Sequence, residues 1–122
     1  NTKFVAEFIG SPQMNLFDCK IENGVAIIDN KKINLDKSIN LENASIGVRP
    51  DDIQISNNGQ YNSVASLVEY LGSEMIIYSS IGDQQFSCKL SSKIELKSGD
   101  SFNFDINPST VHVFDNTTGL RV

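Results

Sequence analysis

The stretch VEYLGSEMIIYSSIGDQQFSCKL (68–90) decides the fold, because apolar and polar residues alternate along it and glycine interrupts it twice. Gly72 ends a run that begins at Val64, and the pair Gly82-Asp83 divides residues 74–81 from residues 85–90. Alternation with a period of two is typical of β-strands, and glycine between such runs is typical of turns. The stretch therefore predicts three consecutive strands, at 64–71, 74–81 and 85–90, joined as hairpins.

The same period continues from Phe17 to the end of the chain. Phe17, Cys19 and Ile21 alternate with polar residues, and residues 25–28 and 32–35 flank a polar turn, as in a hairpin. Further strands are predicted at 46–48, 53–55, 102–106 and 111–114, and after Gly119. About nine short strands, spaced by roughly 8–12 residues, are typical of a small all-β barrel or sandwich.

The first residues follow a helical period instead. Phe4 and Phe8, like Val5 and Ile9, are four residues apart and form one apolar stripe. A helix is expected to stop after residue 9, because Gly10 suits the position after a helix and Pro12 prevents its continuation. We therefore expect a single short helix over residues 3–9.

Composition is that of an ordinary globular protein. The chain has 122 residues, 39% of them hydrophobic, which is enough for one domain that folds without a disulfide or a metal. No apolar run approaches the roughly 20 residues of a membrane-spanning helix. The formal net charge is -5, and Arg49 and Arg121 are the only arginines. Binding to nucleic acid needs clustered positive charge, so we expect no nucleic-acid partner.

No pattern in the sequence is typical of a catalytic site. His112 is the single histidine, and no Ser or Cys partner lies at a recognisable spacing, so we assign it a structural or surface role. The acidic pair Asp51-Asp52 follows Pro50, where a turn explains it better than acid–base chemistry does. The phosphate-binding pattern GxxxxGK[ST] is absent.

The two cysteines, Cys19 and Cys88, alternate with apolar residues in predicted strands. Neither has a second Cys or a His nearby in the sequence, as a metal site would need. We expect both thiols to be reduced and buried, since free thiols pack as small apolar groups.

Four spaced segments, taken together, resemble a known family: FVAEFIGSPQMNLF (4–17), IGVRPDDI (46–53), VEYLGSEMIIYSSIG (68–82) and VFDNTTGLRV (113–122). In this order they resemble the C-terminal regulatory segment of the ATP-hydrolysing subunits of bacterial ABC importers. The nearest subgroup is that of the maltose, multiple-sugar and glycerol-3-phosphate importers. Three positions depart from the pattern: Asp51 replaces a usual Glu, Gln13 a common Pro or Lys, and Val113 a usual Leu.

The resemblance implies an all-β fold. The implied fold is that of a TOBE domain, a small β-barrel like the oligonucleotide-binding (OB) and molybdate-binding modules, with a short N-terminal helix left over from the ATPase domain. Residues 1–10 would be that helix and residues 11–122 the regulatory barrel, in a chain that would be a piece of a longer subunit. A hinge and a contact with the ATPase domain are implied for nine residues: Phe4, Val5, Phe8, Ile9, Gly10, Ser11, Pro12, Met14 and Asn15. Regulatory or structural roles are implied for ten others: Gly47, Arg49, Pro50, Asp51, Glu69, Gly72, Glu74, Phe114, Asp115 and Gly119.

The resemblance also implies partners and a location. The partners are the subunit's own ATPase domain, a second copy of the subunit in a homodimer, and the transmembrane permease subunits; the family also allows a regulatory protein or a small effector. ATP and magnesium would be held by the ATPase domain, so we expect no cofactor, catalytic residue or metal ligand in this chain. The implied location is peripheral, at the cytoplasmic face of the bacterial plasma membrane.

Two other hypotheses stand beside this one. The first is a free-standing β-module that binds a small anion, and the second is a small enzyme or nucleic-acid module. An ATPase encoded upstream in the same reading frame would separate the importer hypothesis from the free-standing module.

We predict that the isolated chain does not hydrolyse ATP, because it lacks the phosphate-binding loop. Release of inorganic phosphate from magnesium–ATP should stay at the level of a protein-free sample. Turnover in a pure sample that is abolished by substitutions within this chain would contradict the prediction.

Overall fold

The computed structural model describes residues 13–91 and 94–122, and strands dominate both ranges. The helix predicted at residues 3–9 lies outside the described residues, as do the predicted hinge residues from Phe4 to Pro12. The all-β prediction is confirmed. The strands are β1 (Asn15–Glu22), β2 (Val25–Ile28), β3 (Lys31–Asn34), β4 (Leu41–Val48), β5 (Ile53–Ile55), β6 (Tyr61–Val64), β7 (Leu67–Leu71), β8 (Glu74–Ile81), β9 (Gln84–Ser91), β10 (Ser101–Ile106), β11 (His112–Asp115) and β12 (Leu120–Arg121).

Three antiparallel sheets share these strands. The largest has the order β12-β11-β4-β1-β2-β3, and two smaller sheets have the orders β5-β10-β6 and β7-β8-β9. A 3-10 turn at Pro50–Asp52 leads from the large sheet into β5, and another at Pro108–Thr110 leads back from β10 into β11. The chain therefore leaves the large sheet after β4 and returns to it with β11.

The strand predicted over residues 64–71 is wrong in one respect: it is two strands in different sheets. The amide of Ala65 donates to the carbonyl of Asp100 at 2.9 Å, whereas the next amide, Ser66, donates to Tyr78 at 2.7 Å. The chain thus exchanges one neighbour for another within two residues, and an alternating pattern carries no sign of such a change. The strand predicted at 46–48 is also too short, because β4 pairs with β1 from Leu41 onward.

Aromatic side chains join the three sheets at the core. Phe104 of β10 lies 5.6 Å from Tyr61 of β6 and 5.5 Å from Phe86 of β9, measured between ring centroids. Phe86 in turn lies 5.7 Å from Phe17 of β1, in the large sheet. Tilted rings at these separations stabilise each other by about 0.5–1.5 kcal/mol per pair beyond the burial of their area.

The two cysteines differ in burial. Both are free thiols; Cys88 is fully buried in β9, whereas Cys19 is only half-buried, so the prediction of two buried thiols is wrong for Cys19. Cys19 lies where the register between β1 and β4 shifts, which opens the ladder beside it. Burial raises the pKa of Cys88 to about 12. Burial, with the charge of Asp18, raises the pKa of Cys19 to about 11.

We predict that both thiols react slowly with a maleimide in the native protein and that Cys88 reacts more slowly than Cys19. A pKa raised from 9.0 to about 11 leaves about a hundredfold less thiolate at pH 8 than in the unfolded chain. Labelling of Cys19→Ser and Cys88→Ser, each with and without urea, measures the two rates separately. Native Cys88 that reacts as fast as Cys88 in urea would contradict the prediction.

Candidate functional site

The motif residues near the start of β1 pack together on the side of the large sheet that faces away from the main core. Gly47 lies in the middle of β4, paired with Leu16 of β1 and with His112 of β11. A Cβ added to Gly47 would overlap the sulfur of Met14 and lie 3.2 Å from Cε2 of Phe114. A side chain at position 47 would therefore displace the thioether of Met14 and crowd the ring of Phe114. We call Met14, Gly47 and Phe114 the motif cluster.

The motif cluster is buried but separate from the main core. Met14 and Phe114 are 8% and 1% exposed, yet neither belongs to the apolar cluster that fills the barrel. Beside it, the fully buried hydroxyl of Ser45 donates to Asp18 at 2.8 Å and accepts from the amide of Asn116 at 2.9 Å. This face of the sheet is thus ordered by apolar packing and by a polar network.

Asn15 links the large sheet to β9. Its side-chain amide donates to the carbonyl of Ser87 at 2.8 Å and accepts from the amide of Ser87 at 2.9 Å. Gln84 repeats the arrangement in the opposite direction, accepting from the backbone amide of Asp18 at 2.6 Å and donating to its carbonyl at 2.9 Å. We call Asn15 and Gln84 the amide clamp, because their side chains make the hydrogen bonds that a backbone ladder between β1 and β9 would make.

The GVRP and FD-TG motifs have local structural roles. Pro50 is buried at the first position of a 3-10 turn, which the carbonyl of Arg49 closes by accepting from the amide of Asp52 at 2.9 Å, while Arg49 and Asp51 are exposed. The carboxylate of Asp115 accepts from the amide of Thr117 at 2.9 Å, as in an Asx turn.

Gly119 completes the FD-TG turn. Its amide donates to the carbonyl of Asp115 at 2.7 Å, and its φ of 76° is in the left-handed region that favours glycine.

The remaining predicted site residues lie in another sheet. Glu69, Gly72 and Glu74 belong to the β7–β8 hairpin, where Gly72 has a φ of 67° and Glu74 lies 3.5 Å from Lys89 of β9. Glu69 accepts a hydrogen bond from the hydroxyl of Tyr78 and thereby raises the pKa of that tyrosine. The structure therefore does not bring the predicted motif residues to one site: some form the motif cluster, some form the turns around Pro50 and Asp115, and three lie in this hairpin.

Basic side chains converge around His112. Burial lowers the pKa of His112 below its usual value, and the positive charges of Arg121, Arg49 and Lys37 lower it further, against a smaller opposing effect of Asp52. Both arginines of the chain therefore act on its single histidine. The sequence patterns predicted neither Lys37 nor Arg121 as a site residue, although the presence of only two arginines in an acidic chain was a signal for Arg121.

Within residues 13–91 and 94–122, no group of three or more His, Cys, Asp or Glu side chains is arranged to hold a metal ion. Over the same ranges, no helix has the length and apolar content that a membrane span requires.

Comparison with known proteins identifies relatives along nearly the whole chain. Residues 46–114 match the TOBE domain family. The chain is 33% identical to the sn-glycerol-3-phosphate import ATP-binding protein UgpC 2 of Agrobacterium fabrum, over 98% of this chain and 34% of that protein. It is 30% identical to the oligosaccharides import ATP-binding protein MsmX of Bacillus subtilis, over 98% of this chain and 37% of that protein. The chain thus spans about a third of the length of these curated relatives.

We predict that Asn15→Ala destabilises the barrel by about 2 kcal/mol, because it leaves both backbone groups of Ser87 without their partner. The free energy of unfolding, measured by urea denaturation, reports the loss. Asn43→Ala is the matched control: Asn43 is exposed in β4, and its substitution should stay within about 0.5 kcal/mol of the parent. Equal unfolding midpoints for the two variants would refute the role of the clamp.

Proposed function

Because this chain belongs to the TOBE domain family, we propose that it is the regulatory and dimerisation domain of the ATP-binding subunit of a bacterial ABC importer. In this role it helps to couple ATP hydrolysis in the subunit to the uptake of a sugar or a related solute. The relatives support the class of parent protein, since the names of both proteins described above denote import ATP-binding proteins.

The position of the motif cluster carries the proposal. Met14 reaches the cluster one residue before β1 begins, so the cluster lies where the chain passes into residues 1–12. The resemblance assigns those residues to the last helix of the ATPase domain and the crossover from it. We propose that the ATPase domain docks against this face, with exposed Arg49 at its rim. Movement of the ATPase domain would then act first on the motif cluster.

The proposed role is mechanical. Two regulatory domains that stay paired keep two ATPase domains at high effective concentration while these open and close. A partner or effector that binds better to the open or to the closed arrangement of the ATPase domains shifts the equilibrium between the two arrangements. ATP and magnesium belong to the ATPase domain, and the permease subunits contact the parent protein at the cytoplasmic face of the plasma membrane.

The outer face of the β7–β8 hairpin is the surface we propose for pairing with the second copy. Leu67 and Leu71 are 51% and 54% exposed. They lie on either side of Glu69 on one face of the sheet, and Tyr78 of β8, the partner of Leu67, lies on the same face. Within the described residues, β7 is an edge strand with β8 as its single neighbour in the sheet. An edge strand with exposed apolar residues is a template for pairing, and a two-fold axis brings the same strip of each copy together.

A second candidate function, the free-standing module that binds a small anion, is favoured by the convergence of basic residues around His112. The experiment that separates the two uses the full reading frame. If the importer proposal holds, the frame encodes an ATPase domain, and deletion of residues 13–122 leaves ATP binding intact but abolishes solute uptake and pairing of the subunit. A subunit that still pairs and supports uptake after this deletion would overturn the proposal.

We predict that Leu71→Glu weakens self-association of the chain by tenfold or more, corresponding to about 1.4 kcal/mol. A carboxylate beside Glu69 adds like charge to the pairing surface and must be desolvated when the two copies meet. Sedimentation velocity over a concentration series measures the change. Leu120→Glu is the matched control, since Leu120 is 55% exposed but lies in β12. Equal weakening by both variants, or a parent chain that is monomeric throughout, would exclude this surface.

A further inference from the structure

A cavity of about 190 Å³ lies where the two outer strands of the large sheet approach each other. β3 and β12 are at opposite ends of the strand order, yet Nζ of Lys37, three residues after β3, donates to the carbonyl of Val122, next to β12, at 3.2 Å. The sheet therefore curls until its ends meet at a seam, and the cavity is a gap in this seam.

The lining of the cavity has an apolar part and a polar, charged part. Leu35, Pro108 and Val111 contribute apolar surface, whereas Ser109, Lys37 and Arg121 contribute polar and positively charged groups. Pockets for drug-sized ligands measure roughly 300–1,000 Å³, so this one suits a smaller molecule. A ligand that fits must have an apolar part and a polar part.

The charge of the site favours an anion. Lys37 and Arg121 line the cavity, and both act electrostatically on His112, as does Arg49. Two carboxylates oppose them: Asp36 also lines the cavity, and Asp52 acts on His112. Among the groups that line the cavity, Lys37 and Arg121 outnumber Asp36, which leaves an excess of one positive charge in a chain whose formal net charge is -5.

We propose that this seam cavity binds a small organic phosphate monoester, with the phosphate against Arg121 and Lys37 and the organic part against Leu35 and Val111. Arginine and lysine form the charge-assisted hydrogen bonds that phosphate oxygens accept. A phosphate monoester carries a charge of about −1.5 to −2 near neutral pH, so both cations of the lining attract it.

The apolar wall distinguishes this ligand from a bare oxyanion. Sulfate or inorganic phosphate fills only the charged part and leaves Leu35 and Val111 uncovered. Covering apolar surface contributes about 25 cal/mol per Å², so a ligand with an organic part gains affinity that a bare oxyanion lacks. Any effector role for this ligand rests on the proposed importer function, whereas binding itself does not.

Phenyl phosphate is the probe, titrated against inorganic sulfate at constant ionic strength. We expect saturable binding of phenyl phosphate at least tenfold tighter than that of sulfate, followed by calorimetry. The His112 imidazole resonances in an NMR pH titration give a second readout. A dianion bound beside Lys37 and Arg121 offsets the positive charge that these residues exert on His112, so the pKa of His112 should rise in the presence of phenyl phosphate.

Variants separate a built site from general surface charge. Arg121→Gln should weaken phenyl phosphate binding about tenfold or more, the loss expected for one charge-assisted hydrogen bond. Lys37→Gln should weaken it as well, whereas Lys97→Gln, which removes the same charge at an exposed site away from the cavity, should not. Dispersion of the amide NMR spectrum confirms that each variant is folded.

Three results would overturn the proposal: no saturable binding, equal affinity for sulfate and phenyl phosphate, or equal loss in Arg121→Gln and Lys97→Gln. None of them bears on the importer proposal, which depends on the deletion in the full subunit. Conversely, uptake that survives that deletion would leave the binding result unchanged.

Discussion

The contact of Phe104 with Tyr61, Phe86 and Phe102 is the constraint on which the rest of the structure depends. These rings come from both small sheets, and Phe86 extends the contact to Phe17 in the large sheet. Within residues 13–91 and 94–122, no backbone ladder crosses from one sheet to another, so side-chain packing sets how the sheets are oriented. The motif cluster, the β7–β8 hairpin and the seam cavity each lie on the outside of this arrangement and take their positions from it.

Side-chain amides, together with the aromatic contact, hold the large sheet against the sheet that contains β9. β1 and β9 belong to different sheets, and the amide clamp satisfies backbone groups of both where they cross. An amide side chain carries a donor and an acceptor, which makes Asn and Gln suited to replace one residue of a strand. This explains the MN motif in structural terms: Met14 fills the space above Gly47, and Asn15 fixes the first residue of β1 to the neighbouring sheet. A structural reason of this kind is compatible with a hinge just upstream, because a hinge needs a fixed end.

Sequence periodicity predicted the strands well because alternation is a local signal. The hairpins around Gly72 and Gly82 have the predicted turns, since positive φ at glycine is likewise decided by nearby residues. The change of sheet at Ala65 was not predictable in this way, because it depends on which strands Asp100 and Tyr78 bring alongside. Half-burial of Cys19 follows from a register shift, which is equally invisible in a pattern.

The candidate sites show the same division. Resemblance to a family identified Gly47, Phe114 and Asn15, but it did not say that Gly47 lies against Met14 and Phe114 or that Asn15 holds β9. Gln84 was missed because its partner is 66 positions away in the chain. Lys37 and Arg121 were missed because the curling of a sheet, and not any spacing, brings them to one cavity. Contacts between residues far apart in the sequence could therefore be identified only from the structure.

The amide clamp also makes the barrel a good transmitter of force. Asn15 is hydrogen-bonded to β9 and paired with Val48 of β4, so a pull on the chain just before it loads two sheets at once. While the hydrogen bonds of Asn15 remain, neither sheet can deform alone. The force is distributed over the barrel and does not detach a single strand. A domain anchored in this way moves as a rigid body when the chain just before Asn15 is displaced. A force applied there is therefore transmitted to the surfaces of both sheets.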